Sequence, residues 1–196
     1  MRKPLVVAAV LAVVLATAVA RPGAQAPAAP SAAEYGRAPK LETQPFAGPN
    51  GRIKFEYPKK DWQIVPGGSS VIVSLAQKKG EAAVVVEQTR LNQALAPDDI
   101  TDLFGQLESD TVKEHQPSAT DLRAKVVDAS GRRFIIVDYA RKGVAGPERV
   151  RQYSFPVGAD LYRLTCSAAT AQFPRYESVF AHLAATFSVT GAGTAP

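Results

Sequence analysis

The chain has 196 residues with one cysteine and two histidines, a size suited to a single core that no intramolecular disulfide can staple. Lys and Arg number 23 against 18 Asp and Glu, a formal charge of +5; without Arg2 and Lys3 the balance is 21 against 18, or +3. That excess is small and dispersed, unlike the clustered basic stripe with interleaved aromatics of a nucleic-acid binder, so no nucleic-acid partner is expected.

The opening MRKPLVVAAVLAVVLATAVA sets Arg2 and Lys3 before an uncharged apolar run that ends in Ala18-Val19-Ala20. A positive n-region, an h-region and a small-x-small site predict a signal peptide over 1–20 and a secreted or periplasmic product. The alternative is a retained anchor, for which the run from Pro4 to Ala20 is shorter than the ~20 residues a spanning helix needs. No cysteine lies near the boundary to accept a lipid, and no stable membrane insertion is expected after cleavage. Residues 21–45 are rich in Ala and Pro without helical or alternating periodicity, which predicts a disordered leader. Residues 46–189 then form one domain, and 190–196 a disordered tail.

Within the domain, GRIKFEYP alternates Ile53, Phe55 and Tyr57 with Arg52, Lys54 and Glu56, the period of a half-buried strand. Trp62 follows as a core plug ahead of a Pro-Gly-Gly turn. Val71 to Ala76 and Ala82 to Thr89 read as strands joined by a hairpin at Gly80, the second inside the sheet because Val84 to Val86 offer apolar side chains to both faces. Pro97-Asp98-Asp99 opens a helix with the stripe Ile100, Leu103, Phe104 and Leu107, ending before Pro117. LRAKVVDAS, RRFIIVDYARKG, PERVRQYSFPVG and ADLYRLTCSA read as four meander strands. A closing helix from Gln172 to Thr186 carries Phe173, Tyr176, Phe180, Leu183 and Phe187 on one side, with Pro174 in its first turn. The expected fold is α+β: an antiparallel sheet of about seven strands flanked by two helices.

Chemistry-bearing patterns are sparse. Cys166 shares a strand face with Leu164, which marks it as a core filler with a raised pKa rather than a nucleophile. Neither His115 nor His182 is placed beside it by any local argument. The histidines stand far apart and HxxxH or CxxC spacings are absent, so no metal site is expected. Asp98, Asp99, Asp102, Glu108 and Asp110 read as dipole compensation and a solvated helix face rather than a calcium loop. Gly67-Gly68 and Ser69-Ser70 match neither a phosphate loop nor a nucleophile elbow. No catalytic residue and no cofactor are assigned.

Charge is unevenly spread. From Arg123 to Arg163 nine basic residues face four acids, whereas Asp98 to Glu114 carries six carboxylates and Lys113 alone. On meander strands Arg133, Arg149, Arg151 and Arg163 are candidates for a basic surface that meets an anionic envelope component or an acidic protein. The competing reading is a solvated sheet face with cross-strand ion pairs.

IKFEYPKKDWQI, RRFIIVDYARKG, RQYSFPVGADLYRLTCSA and AQFPRYESVFAHLAATFSV together resemble the PsbP-like superfamily. The resemblance covers roughly 46–189 and rests on Phe-x-Tyr-Pro-x-x-Asp-Trp, Tyr-x-Leu-Thr and a terminal helix ending in Thr-Phe. It implies an α/β/α sandwich acting as a non-enzymatic binding or assembly module, and it assigns this chain no cofactor or metal residue. The functional expectation is therefore an exported, non-catalytic binding or assembly module of the cell envelope. Two alternatives remain: a small-ligand carrier, favoured by a large apolar cavity near Trp62 or Phe104, and an enzyme whose site is assembled only by the tertiary fold.

Overall fold

The computed structural model describes residues 41–48, 51–65 and 71–190. The expected signal peptide, most of the leader, the Gly67-Gly68 and Ser69-Ser70 turn and the tail from position 191 lie outside the described residues. In chain order the elements are β1 (Thr43–Ala47), β2 (Ile53–Pro58), β3 (Trp62–Val65), β4 (Val71–Gln77), β5 (Ala82–Leu95), a 3-10 turn (Pro97–Asp99), α1 (Asp102–His115), β6 (Thr120–Ala129), β7 (Arg132–Gly143), β8 (Gly146–Ala169), α2 (Phe173–Thr186) and β9 (Ser188–Val189).

The larger sheet has six strands in the order β3-β4-β5-β8-β7-β6, all antiparallel. β8 is a run of 24 extended residues that doubles back on itself. Drawn straight it would separate Pro147 from Thr170 by roughly 75 Å, yet the Thr170 amide donates to the Pro147 carbonyl at 3.0 Å. Gly158, with φ +60°, supplies the reversal that a side chain would resist. Residues 146–154 of β8 pair with β7, and 158–168 pair with β5. The two strands expected at PERVRQYSFPVG and ADLYRLTCSA are thus the arms of one hairpin. The β6–β7 hairpin turns at Ser130-Gly131, both at positive φ, as a two-residue turn of matching twist requires.

One expectation is corrected. The alternating segment Ile53 to Pro58 does not join the larger sheet; it is the middle strand of a separate three-stranded sheet in the order β1-β2-β9. Alternation tells which side chains are buried but not which strand supplies the backbone partners. The same small sheet begins at Thr43, so ordered structure starts slightly before position 46.

Two cores sit on opposite faces of the larger sheet. On one, α2 and the small sheet cover Leu75, Val84, Val86, Phe134, Ile136, Tyr153, Leu164 and Cys166, with Phe173, Phe180, Leu183 and Phe187 pointing in from α2 and beyond. Trp62 joins this core edge-to-face with Tyr176, the ring centroids 6.1 Å apart. On the other face α1 lies over Ile135, Val137, Tyr139 and Val150. The product is an α/β/α sandwich with one helix on each side.

The stripe expected for the first helix holds only in part: Ile100, just ahead of α1, is buried and Phe104 packs against the second core, but the two leucines do not. Leu103 and Leu107 are 71% and 53% exposed, and the buried helical positions are Gly105, Glu108, Ser109 and Val112. The helix is rolled by about one residue, close to 100°, from the face its leucines suggest. Gly105 sits against Ala124 and Ile135, and Glu108 enters the interface.

Candidate functional site

Glu108 is 3% exposed, and a carboxylate at that depth demands partners for both oxygens. Arg163, on the second arm of β8, supplies a two-pronged contact: Nε donates to Oε2 at 2.9 Å and Nη2 to Oε1 at 2.7 Å. Ser154 Oγ and Gln152 Nε2, on the first arm, donate to Oε2 at 2.7 and 3.2 Å. Arg163 Nη1 continues the chain to Thr89 Oγ1 of β5 at 2.9 Å. One helix side chain thereby ties α1 to three rows of the sheet.

Beside this network the sheet is uncovered. The apolar side chains that seat α1 lie on β6, β7 and the first arm of β8, so the helix leaves the same face of β5 and the second arm open. The gap is a cleft of about 610 Å³. Its floor is Val85, Glu87 and Thr89 of β5 with Arg163, Thr165 and Ser167 of β8, and α1 walls it with Thr111, Val112 and His115. Tyr139 and Arg141 of β7 close one side. Burial pushes the Tyr139 phenol up; Arg141 opposes this while Glu148 and Glu87 add to it, so the group is a neutral donor at physiological pH. His115 Nδ1 meets the Thr111 carbonyl at 2.8 Å, which leaves Nε2 as the ring's second polar atom. Arg141 gives Nε to Glu148 at 3.0 Å. The cleft thus offers hydroxyls, an imidazole, two guanidinium groups and one carboxylate, a set for holding a polar partner by hydrogen bonds. Neither Trp62 nor Phe104 lines it.

The four arginines singled out in the sequence are divided between the two faces. Arg149 and Arg151 point toward α2, their guanidinium carbons 5.3 and 5.8 Å from the Phe173 ring centroid. Arg151 is 2% exposed; its Nε meets Asp138 at 2.7 Å and its Nη1 meets Glu177 at 3.5 Å. Arg133 and Arg163 point the other way, Arg133 to Asp128 at 2.8 and 3.1 Å and Arg163 to Glu108. The cross-strand pairing is literal: Asp128 lies opposite Arg133, Asp138 opposite Arg151, and Glu148 opposite Arg141 in the strand registers. These side chains do not converge on one surface.

Cys166 is fully buried on the α2 face, and burial pushes its thiol far up despite the nearby Arg151 charge. Thr165 and Ser167, its sequence neighbours, line the cleft on the opposite face. His182, on α2, is 5% exposed; its Nε2 lies 3.1 Å from Glu56 Oε2, and its buried Nδ1 has no hydrogen-bond partner. Among the described residues no group of three or more His, Cys, Asp or Glu side chains is placed to hold a metal ion.

Nothing in the local pattern distinguishes Glu108, whose carboxylate looks like any other in an acidic helix. Thr165 and Ser167 were accessible from the sequence, because strand alternation already sets them opposite Cys166.

No protein-family model matches the sequence, and no curated protein matches it. Similarity is found among solved structures. Cyanobacterial PsbP (CyanoP) from Synechocystis superposes with a TM-score of 0.59 at 17% identity, over 75% of this chain and 92% of that one. LpqN, involved in cell envelope biogenesis of Mycobacterium tuberculosis, gives 0.55 at 12% identity, over 81% and 96%. The Saccharomyces cerevisiae Ran-binding protein Mog1p gives 0.52 at 9% identity, over 76% and 96%. At such identities what is shared is architecture: this chain has the PsbP/Mog1-like fold.

Proposed function

We propose that the protein is an exported, non-catalytic binding module of the cell envelope that holds a polar partner in the cleft between α1 and the β5–β8 floor. The observation that carries this reading is the half-covered sheet face, with its cleft of about 610 Å³ and its mixed donors and acceptors. That volume falls within the ~300–1,000 Å³ of small-ligand sites. The chemistry of the lining favours recognition. The thiol lies across the sheet from the cleft, so the cleft's His115 has no nucleophilic sulfur to activate. The similarity to LpqN, itself described by its part in envelope biogenesis, supports the compartment but names no partner.

A carrier of a small polar ligand is the second reading, favoured by the same cleft, whose lining mixes polar and apolar groups and includes neither Trp62 nor Phe104. One experiment addresses both. Thr165→Trp fills the floor from a partly exposed strand position. The wild-type chain and this variant are used to capture partners from the cell envelope, and the same pair is analysed by native mass spectrometry for a co-purifying small molecule. A partner or ligand present with wild type and lost with a variant of unchanged melting temperature supports the cleft; retention of every partner by the variant moves the binding surface elsewhere.

A further inference from the structure

We propose that two turns at one end of the larger sheet form a cationic tip that seats the domain on anionic lipid headgroups. Lys59 and Lys60 lie between β2 and β3, and Lys78 and Lys79 between β4 and β5. The Lys78 amide donates to the Asp61 carbonyl at 2.7 Å, which fastens the two turns side by side and brings the four lysine positions to one end of the sheet. The Gly80 amide closes the second turn on the Gln77 carbonyl, and the Lys79 amide on Gln77 Oε1, each at 2.7 Å. All four lysines are exposed, and the ion pairs among the described residues are made by other side chains.

Three carboxylates stand nearby. Glu42 and Asp61 are exposed, whereas Glu81 is engaged by the Tyr176 hydroxyl at 2.7 Å and by Arg175 at 3.8 Å. Arg175, itself 66% exposed, adds a fifth cation at this end.

The second observation is where the chain enters. The Lys59 amide donates to the Glu42 carbonyl at 2.9 Å, and Thr43 pairs with Pro58, so the polypeptide arriving from position 40 joins the fold at this tip. Its upstream sequence carries Lys40, Arg37 and Arg21 against Glu34 alone and, farther back, the uncharged apolar run behind Arg2 and Lys3. The lysine tip is thus the end of the domain at which the described part of the chain begins. Lysines on convex turns are flexible point charges, suited to a diffuse anionic plane; an acidic protein groove is better matched by the planar forks of arginine. The inference does not depend on the cleft.

The test is flotation of the full chain with neutral phosphatidylcholine vesicles and with vesicles containing about 30 mol% phosphatidylglycerol, at low and high salt. The neutral vesicles account for any insertion by the apolar run. Each lysine close to an anionic leaflet contributes on the order of fivefold to partition, so Lys78→Gln with Lys79→Gln should lower the anionic-to-neutral ratio roughly 25-fold. High salt should lower the wild-type ratio in the same direction. The control, Arg52→Gln with Lys54→Gln, removes equal charge from the opposite end of β2 and should leave the ratio near wild type. An unchanged ratio in the lysine variant overturns the proposal, as does an equal fall in the control. Binding to an anionic polysaccharide that depends on the same lysines, with no preference for anionic vesicles, overturns it too.

Discussion

Glu108 of α1 and Arg163 of β8 meet in a two-pronged ion pair, 2.7 and 2.9 Å, at a helix–sheet interface where the carboxylate is 3% exposed. Such a pair is costly to desolvate, and what keeps it in place is that Ser154, Gln152 and Thr89 satisfy the remaining positions. Removing one member leaves the other stranded. Glu108→Ala should cost about 3 kcal/mol in urea unfolding, with Glu108→Met plus Arg163→Met recovering most of it. A loss below about 0.5 kcal/mol in the single variant would show that water replaces the carboxylate.

The exposed leucines of α1 give a second measurement. Leu103→Gln and Leu107→Gln should each change stability by less than about 0.5 kcal/mol, because neither side chain is buried. Val112→Ala, on the face that meets the sheet, should cost about 2 kcal/mol. The reverse ranking would restore the face the hydrophobic pattern suggests.

This contrast explains how far the fold could be read. On α2 five large apolar residues, Phe173, Tyr176, Phe180, Leu183 and Phe187, dominate every competing face, and all five are buried. On α1 two leucines compete with a small, partly polar face, and a pattern of hydrophobicity does not register a carboxylate whose partners lie 44 to 55 residues away. Strands were legible wherever alternation was clear, Ile53 to Tyr57 included, but assignment to a sheet was not, because backbone pairing carries no side-chain code. The arginines follow the same logic. Their clustering in sequence was visible, while strand parity sends Arg149 and Arg151 to one face and Arg133 and Arg163 to the other. The lysine tip inverts the case: the Lys59-Lys60 and Lys78-Lys79 turns are remote in sequence and are held together by the backbone hydrogen bond from the Lys78 amide to the Asp61 carbonyl.

Arg132 offers a third test. Its guanidinium donates to the Phe187 carbonyl and, at 3.1 Å, to those of Ala184 and Ala185, the otherwise unpaired acceptors at the end of α2. The same group stacks 5.2 Å from the Phe155 ring centroid. Arg132→Ala should cost about 2 kcal/mol and raise amide exchange selectively in the last turn of α2. Arg132→Lys should recover only part, since an ammonium cannot span three carbonyls in the fork geometry. Uniform exchange along α2 in the Arg132→Ala variant would deny the capping role.

Cys166 should react only through unfolding. The thiol is fully buried and burial raises its pKa, so the thiolate fraction and the access are both suppressed. Labelling by a thiol reagent under native conditions should follow the global unfolding rate and accelerate in urea in step with loss of Trp62 fluorescence. Rapid native labelling would require a local opening of the β5–β8 rows that hold the residue.

Tyr176 sets the alkaline limit. Burial, then the hydrogen bond to Glu81 and that residue's charge, push its phenol up to about 12, against about 10 in an unfolded chain. The folded state therefore holds the proton more tightly, and its contribution is complete below pH ~10 and is lost as pH rises through about 12. Burial moves Tyr139 and Tyr162 in the same direction, so the wild type should lose stability steadily over this range. Tyr176→Phe removes the hydrogen bond and should cost about 1 kcal/mol at pH ~8, but it also removes one titrating group. The difference between the two proteins should shrink as pH approaches 12 rather than stay parallel. The edge-to-face contact between Tyr176 and Trp62 makes the single tryptophan the reporter, and parallel curves across the range would place the proton release on unfolding at the other two tyrosines.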